Sequence, residues 1–239
     1  MKHIVALSGG KDSTAMALAL REIEPRDYTY VCTPTGNELN PMIDHWKRLS
    51  VILGKPILPV TGGRSLTGLV KIQNCLPNFQ MRWCTRMLKI QPFQRFLLEQ
   101  LPCTVYVGIR ADEADRSGAD HDMPLLVSQR FPLAEWGWHK ADVLRFLQRR
   151  GVVIPRRTDC ALCFFQTIYE WYLLWRDHPD QYAEGEGLEA ATGHTFRSDS
   201  RDTWPAALAD LRREFERGRI PKQRKTMEDR PQMCSVCAR

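Results

Sequence analysis

His3-Ile4-Val5-Ala6-Leu7-Ser8-Gly9-Gly10-Lys11-Asp12-Ser13-Thr14-Ala15-Met16-Ala17-Leu18-Ala19-Leu20 decides how this chain is to be read. Ile4 to Leu7 is an apolar run of the kind that forms a strand buried on both faces. Ser8 to Thr14 form a tight turn, and Ala15 to Leu20 are strong helix formers. Strand, glycine turn and helix bring backbone N–H groups and a helix N-terminus onto one point, where an anion is held. Gly9 and Gly10 let the main chain approach a phosphate with no Cβ in the way. Lys11 adds a point charge, and Ser8, Ser13 and Thr14 add hydroxyl donors. By its physics the stretch is a phosphate cradle.

It is not a Walker A loop, which needs a glycine five residues before the Gly-Lys pair and Ser or Thr after the lysine. Val5 and Asp12 stand at those places. The stretch resembles instead the PP-loop, Ser-Gly-Gly-x-Asp-Ser, of the adenine-nucleotide alpha-hydrolase superfamily. That resemblance implies cleavage of ATP between its α- and β-phosphates, adenylation of a substrate and release of pyrophosphate.

The 239 residues suffice for one good-sized domain, or a domain with an appendage, without disulfide staples. A hydrophobic content of 43% and a charged content of 26% are ordinary for a globular protein. No apolar run reaches the length of a membrane span, and the N-terminus lacks a basic-then-apolar signal pattern, so a cytoplasmic protein is expected. In that reducing setting the 8 cysteines read as metal ligands or redox groups more readily than as disulfides. The net charge of +6 suits an anionic partner.

Strand patterns follow at Tyr28 to Thr33, Ile57 to Val60 and Thr104 to Gly108, with helical spacing at Met42 to Leu53, Thr85 to Leu101 and Lys140 to Arg149. Pro92 marks a kink or a start in the second of these helices. Residues 62–79 read as a loop with some helix, and residues 117–129 as a polar, flexible segment. From Asp159 onward the strand pattern stops, and residues 164–217 read as helices. The expected fold is α/β, with an open, mostly parallel sheet flanked by helices, PP-loop and Rossmann-like, plus a C-terminal helical, cysteine-bearing extension. Residues 1–155 would form the nucleotide-binding domain and residues 156–239 the helical region carrying the Cys-x-x-Cys pairs.

Further elements narrow the resemblance. Thr35-Gly36-Asn37-Glu38 resembles the Asp-Thr-Gly-x-x segment of the phosphoadenosine phosphosulfate reductase family in its broad sense. Arg82-Trp83-Cys84-Thr85 through Lys89 to Pro92 is similar to the family's upstream cysteine element. Gly108-Ile109-Arg110-Ala111-Asp112-Glu113 through Arg116 is similar to its Gly-x-Arg-x-x-Glu…Arg element. Pro132-Leu133…Trp136, then Cys160-Ala161-Leu162-Cys163, resemble its Pro-Leu-x-x-Trp and late Cys-x-x-Cys elements. The elements stand in family order over roughly residues 3–190.

On this reading Ser8 to Thr14, Thr35, Gly36, Glu38, Gly108, Arg110 and Arg116 bind nucleotide, and Lys11, Asp12, Arg110 and Glu113 carry catalysis. Paired arginines beyond a strand end suit a phosphate or sulfate. Asp12 is read as a magnesium contact or as a carboxylate capping the following helix. The resemblance implies a 4Fe-4S cluster on Cys84, Cys160 and Cys163, with a fourth ligand from Cys234 or Cys237. Alternatively, Cys160, Cys163, Cys234 and Cys237 form a structural zinc site. Cys32, Cys75 and Cys103 read as plain buried thiols, and the cluster Tyr169, Trp171, Tyr172 and Trp175 as core. The basic stretch from Arg212 to Arg230 reads as a solvated face, with nucleic acid the lesser alternative.

The complete PP-loop and the Met-Cys-Ser-Val-Cys tail depart from strict sulfate reductases, whose PP-loops are degenerate. An ATP pyrophosphatase acting in sulfur transfer or nucleotide modification is therefore expected. A sulfonucleotide reductase and a non-catalytic nucleotide-binding accessory protein are the alternatives. Adenine nucleotide, a sulfur-donor protein and a second copy of the chain in a homodimer are the expected partners, with no membrane.

Overall fold

The computed structural model describes residues 1–113, 123–199 and 202–223. In chain order it contains β1 (Lys2–Ala6), α1 (Lys11–Ile23), β2 (Tyr28–Cys32), α2 (Asn40–Leu53), β3 (Ile57–Pro59) and α3 (Leu66–Gln73). There follow α4 (Trp83–Thr85), a π-helical turn (Arg86–Ile90), α5 (Gln91–Leu98), β4 (Cys103–Tyr106) and a 3-10 turn (Ala111–Glu113). The rest are β5 (Val127–Arg130), α6 (Pro132–Glu135), α7 (Lys140–Arg149), α8 (Ile168–Asp177), α9 (Pro179–Thr192) and α10 (Leu208–Glu216).

The strands form one sheet in the order β3-β2-β1-β4-β5, and every pairing is parallel. Alternation sorts the central strands' side chains between two faces. Ile4, Val31, Val105 and Val107 pack with Phe93 and Leu97 on one face. Val5, Leu7, Tyr30 and Tyr106 pack against Met16, Leu20, Val143 and Leu147 on the other. With both faces covered, the apolar runs of β1, β2 and β4 are what such a sheet requires. The order reverses at β1, whose neighbours are β2 and β4, so the crevice at the carboxyl ends of β1 and β4 is the topological switch point where α/β sheets bind ligands.

The structure differs locally from the sequence reading. The expected helix from Thr85 to Leu101 is three pieces, α4, a π turn and α5, ending at Leu98. Pro92 sits in the first turn of α5, where its missing N–H costs nothing. The segment 117–129, read as flexible, contains most of β5; its residues 117–122 lie outside the described residues. β5 is an edge strand, Val-Ser-Gln-Arg, half exposed along its length, so it has no apolar run to betray it. α3 is the helix within residues 62–79, which read as a loop with some helix, and α6 is a short helix just ahead of α7.

A further core gathers Trp171, Leu174, Tyr182 and Leu188 with Leu208, Leu211 and Phe215, and takes in Leu66, Leu69 and Val70 of α3. Trp171 is wholly buried there, but Tyr169, Tyr172 and Trp175 are only half buried. Cys32 and Cys103 are buried thiols, as expected, whereas Cys75 is half exposed.

Glu189 of α9 is 7% exposed, and its carboxylate accepts from Phe196 N (2.9 Å) and Leu208 N (2.7 Å). Burial pushes this carboxyl up to about 7. A raised acid holds its proton in the folded state while the unfolded chain has already released it. Glu189 therefore costs stability as pH rises from the ordinary carboxylate range to about 7, by up to about 3 kcal/mol at ~1.4 kcal/mol per unit. Melting curves of wild type and Glu189→Gln between pH 5 and 8 test this. The wild type should lose stability relative to the variant as pH rises, and parallel curves would disprove it.

Candidate active site

The Ser8 to Thr14 loop leaves the carboxyl end of β1 and becomes the first turn of α1. Two of its backbone donors are held by its own hydroxyls. Gly9 N donates to Ser13 Oγ (3.1 Å), Gly10 N to Ser8 Oγ (3.4 Å), and the two hydroxyls are 3.0 Å apart. Gly10, the cap of α1, contributes no side-chain hydrogen bond, which leaves the helix N-terminus open to an anion. Lys11, Asp12, Ser13 and Thr14 are all buried.

Two neighbours shape the loop. Gly9 has φ +87°, and a Cβ there would lie 2.1 Å from Met42 Cε and 2.7 Å from Trp46 Nε1. Trp46 Nε1 also donates to Ser8 O (3.0 Å). Between these residues on α2 lies His45, 1% exposed, whose Nε2 has no hydrogen-bond partner among the described residues. Burial, reinforced by the charge of Arg48, pushes its imidazole down to about 4, so it is neutral at physiological pH. Met42, His45 and Trp46 thus pave the underside of the loop. Sequence reading placed Met42 and Trp46 on an apolar helix face but missed His45, whose only signal was its place one turn after Met42.

From the other side, β4 runs into Gly108-Ile109-Arg110. A Cβ on Gly108 would stand 2.9 Å from Ser13 N and 3.0 Å from Ser13 Cα, so the absent side chain lets the β4 end touch the α1 backbone. Arg110, 5% exposed, is enclosed by carboxylates. Its Nη1 donates to Asp12 Oδ2 (2.9 Å), its Nε to Asp112 Oδ1 (2.9 Å), and its Nη2 lies 3.1 Å from Glu113 Oε1. Lys11 Nζ is 3.4 Å from the same Asp12 oxygen. The hydrogen bond from Arg110 holds the Asp112 carboxyl below its ordinary range.

The sequence reading made Arg110 half of an anion clamp. In the structure its donors are committed to Asp12, Asp112 and Glu113, and it organises that acidic group. Arg116, the clamp's other half, lies outside the described residues. Lys11 and Arg110 set against three carboxylates leave these side chains with a net charge of −1, an unfavourable surface for a polyphosphate alone. Asp12 Oδ1 is buried with no hydrogen-bond partner among the described residues. A hard, unspent oxygen beside a phosphate cradle fits magnesium, which is held by one or two carboxylates plus substrate phosphates.

The Thr35 to Glu38 turn follows β2, next to β1 in the sheet. Glu38 folds back on it, accepting from Thr35 N (2.6 Å), Thr35 Oγ1 (2.7 Å) and Gly36 N (3.0 Å). Gly36 has φ +71°, and its missing Cβ makes room for Ser65. Glu38 also forms an antiparallel bridge with Cys160, which joins this turn to the cysteine region.

Cys160 and Cys163 face each other across a tight turn, Cys163 N donating to Cys160 O (3.2 Å). A thiol hydrogen bond between them lowers Cys160 and raises Cys163. Burial raises Cys84, which lies close enough to feel the charge of Cys160, while Lys89 pulls both thiols down. Arg157, 9% exposed, ties the turn from within, donating to Gln166 Oε1 (2.8 Å), Cys160 O (2.9 Å) and Asp159 Oδ2 (3.0 Å). Cys84, Cys160 and Cys163 are free thiols. They share one neighbourhood, yet no group of three or more His, Cys, Asp or Glu among the described residues could hold a metal ion. Cys234 and Cys237 lie outside the described residues. The cluster and the zinc site expected from the sequence both draw on that pair.

No helix among the described residues is long and apolar enough to cross a membrane. A curated relative, an uncharacterized protein of Methanocaldococcus jannaschii, is 23% identical over 197 residues, covering 77% of this chain and 41% of its own length. The chain thus spans about two fifths of that relative. Among solved structures, a phosphoadenylyl-sulfate reductase from Candida auris, in a phosphate complex, is similar with a TM-score of 0.50 at 15% identity, covering 64% of this chain and 75% of that one. An NH3-dependent NAD synthetase from Campylobacter jejuni aligns with a TM-score of 0.40 at 11% identity, over 94% of this chain and 90% of its own. The family model described as phosphoadenosine phosphosulfate reductase domain matches residues 2–156, which include the loop after β1 and the arginine-carboxylate group after β4. With its parallel sheet and the PP-loop at the switch point, the chain belongs to the phosphoadenosine phosphosulfate reductase domain family of the PP-loop superfamily.

Proposed function

We propose that this protein binds ATP in the crevice at the ends of β1 and β4 and adenylates an acceptor for sulfur transfer or nucleotide modification. The complete Ser8-Gly9-Gly10-Lys11-Asp12-Ser13 loop carries this reading, because it offers backbone donors, hydroxyls and a lysine to the pyrophosphate portion of the nucleotide. Phosphate oxygens would displace the Ser8 and Ser13 hydroxyls from Gly9 N and Gly10 N with no loop rearrangement. An acceptor nucleophile then attacks the α-phosphorus, and the bond to the β-phosphate oxygen breaks. Lys11 and the loop N–H groups stabilise the charge that builds on departing pyrophosphate. Magnesium, held through Asp12, would supply charge neutralisation on the phosphates. Arg110 fixes the Asp12 carboxylate through Oδ2 and leaves the buried Oδ1 without a hydrogen-bond partner among the described residues. Thr35 and Gly36 would meet the nucleoside end, and the thiols of Cys84, Cys160 and Cys163 would receive or pass sulfur.

The test is pyrophosphate release from ATP in the presence of candidate thiol or nucleotide acceptors. Lys11→Ala should lower the rate at least ~100-fold, the size of losing one electrostatic donor in a transition state. Equal rates for wild type and variant would end the ATP reading. A sulfonucleotide reductase is the second reading, favoured by the convergence of the three thiols and equally compatible with the family. It requires sulfite release from an adenylyl sulfate with a thiol donor, and little dependence on Lys11.

A further inference from the structure

Asn37 stands at the junction between the turn after β2 and the cysteine turn, and the sequence reading gave it no role. It is 6% exposed. Its backbone oxygen accepts from Ala161 N (2.7 Å) and its Oδ1 from Leu162 N (2.9 Å), while its Nδ2 donates to Glu184 Oε2 (3.2 Å). Ala161 and Leu162 are the two residues between Cys160 and Cys163. One asparagine therefore supplies the acceptors for both amides of the Cys-x-x-Cys turn and anchors itself to α9 with its remaining donor group. The adjoining bridge between Glu38 and Cys160 continues the same seam.

At its other end this turn is a closed unit. Glu38 holds the N–H groups of Thr35 and Gly36, and Thr35 O accepts from Leu66 N (2.8 Å). Because β1 and β2 are parallel neighbours, the turn opens onto the crevice beside the Ser8 to Thr14 loop. A ligand that touches the turn restricts a body to which the cysteine turn is directly bonded. Opening of the Ala161 and Leu162 hydrogen bonds requires the two turns to part, so clamping one raises the cost of opening at the other.

We propose that Asn37 is a positioning residue through which nucleotide occupancy of the β1–β2 crevice is transmitted to the Cys160–Cys163 turn. The proposal rests on the nucleotide-binding reading and adds to it that the two halves of the site are coupled. The cysteines would be held in their working arrangement when nucleotide is bound.

Hydrogen exchange measured across residues 159–166, with ATP and magnesium added to the full chain, tests the coupling whether or not the thiols carry a metal. Exchange at Ala161 and Leu162 should slow about tenfold on saturation, equivalent to ~1.4 kcal/mol of added cost of opening. Asn37→Ala, which deletes the acceptor for Leu162 N but keeps the backbone acceptor for Ala161 N, should bind ATP but lose this response at Leu162. Absence of ATP binding by calorimetry would remove the nucleotide reading and the coupling with it. ATP binding with unchanged exchange at Ala161 and Leu162 would overturn the coupling alone. The wild-type comparison decides the matter even if Asn37→Ala fails to fold. An Asn37→Ala protein that keeps the full nucleotide response would also overturn it.

Discussion

Arg110→Met is expected to destabilise the protein by about 3–5 kcal/mol at neutral pH, the cost of removing one partner from a buried ionic group. The wild-type guanidinium touches Asp12, Asp112 and Glu113 within 3.1 Å. Methionine fills much of the space but leaves those carboxylates facing one another with only Lys11 to offset them. The loss should depend on pH, with a sign fixed by Asp112. Its carboxyl is held below the ordinary range by Arg110, so it contributes stability above that range and loses it as pH falls through the lowered value. The variant lacks this contribution, and the gap between the two proteins should narrow under acid conditions. Urea unfolding of both proteins at pH 7 and again well below the ordinary aspartate value of 3.8 measures it. A gap below ~1 kcal/mol at pH 7, or one that widens in acid, would show that Arg110 is not the hub of this group.

The same residues show what the sequence made legible. The Ser8 to Thr14 loop was readable because its signals are local: an apolar run, two glycines and helix formers in direct succession. Arg110 and Glu113 were readable as charged residues beyond a strand, but not as a carboxylate-bound hub. The deciding partner, Asp12, is 98 positions away in the chain, and residue type says nothing about which charge a guanidinium will spend itself on. The link from Asn37 to Leu162 spans 125 positions and was invisible for the same reason. β5 escaped notice for a different one, since an edge strand can hold its place through backbone pairing with a single apolar contact. His45 was missed because a polar residue on an apolar helix face gives no periodic signal of its own. Local pattern recovers the cradle, and only long-range packing shows how its neighbours are spent.

Gly108→Ala should separate the binding geometry of the cradle from the stability of the sheet. The added methyl would meet Ser13 N at 2.9 Å, Ser13 Cα at 3.0 Å and the Asp12 carbonyl carbon at 3.1 Å, all of them backbone atoms. Backbone cannot rotate away as a side-chain tip can, so the start of α1 and the end of β4 must part by a few tenths of an ångström. Overpacking of this kind costs about 1–3 kcal/mol in stability. The consequence for ligand binding is larger relative to the displacement. The moved atoms belong to the residues that aim the first-turn N–H groups and carry the Asp12 oxygen, and small misplacements of such groups cost up to ~100-fold in rate. ATP affinity should fall at least ~10-fold, a loss of ~1.4 kcal/mol, while far-UV circular dichroism stays that of the wild type. Gly137→Ala is the control: Gly137 has φ +67°, but no atom stands within 4 Å of its added Cβ. Its effect should be confined to backbone strain and stability, with ATP affinity unchanged. Calorimetric titration of the two variants distinguishes the cases. Equal ATP affinity for wild type and Gly108→Ala would mean that the β4 end does not set the position of the phosphate-binding turn.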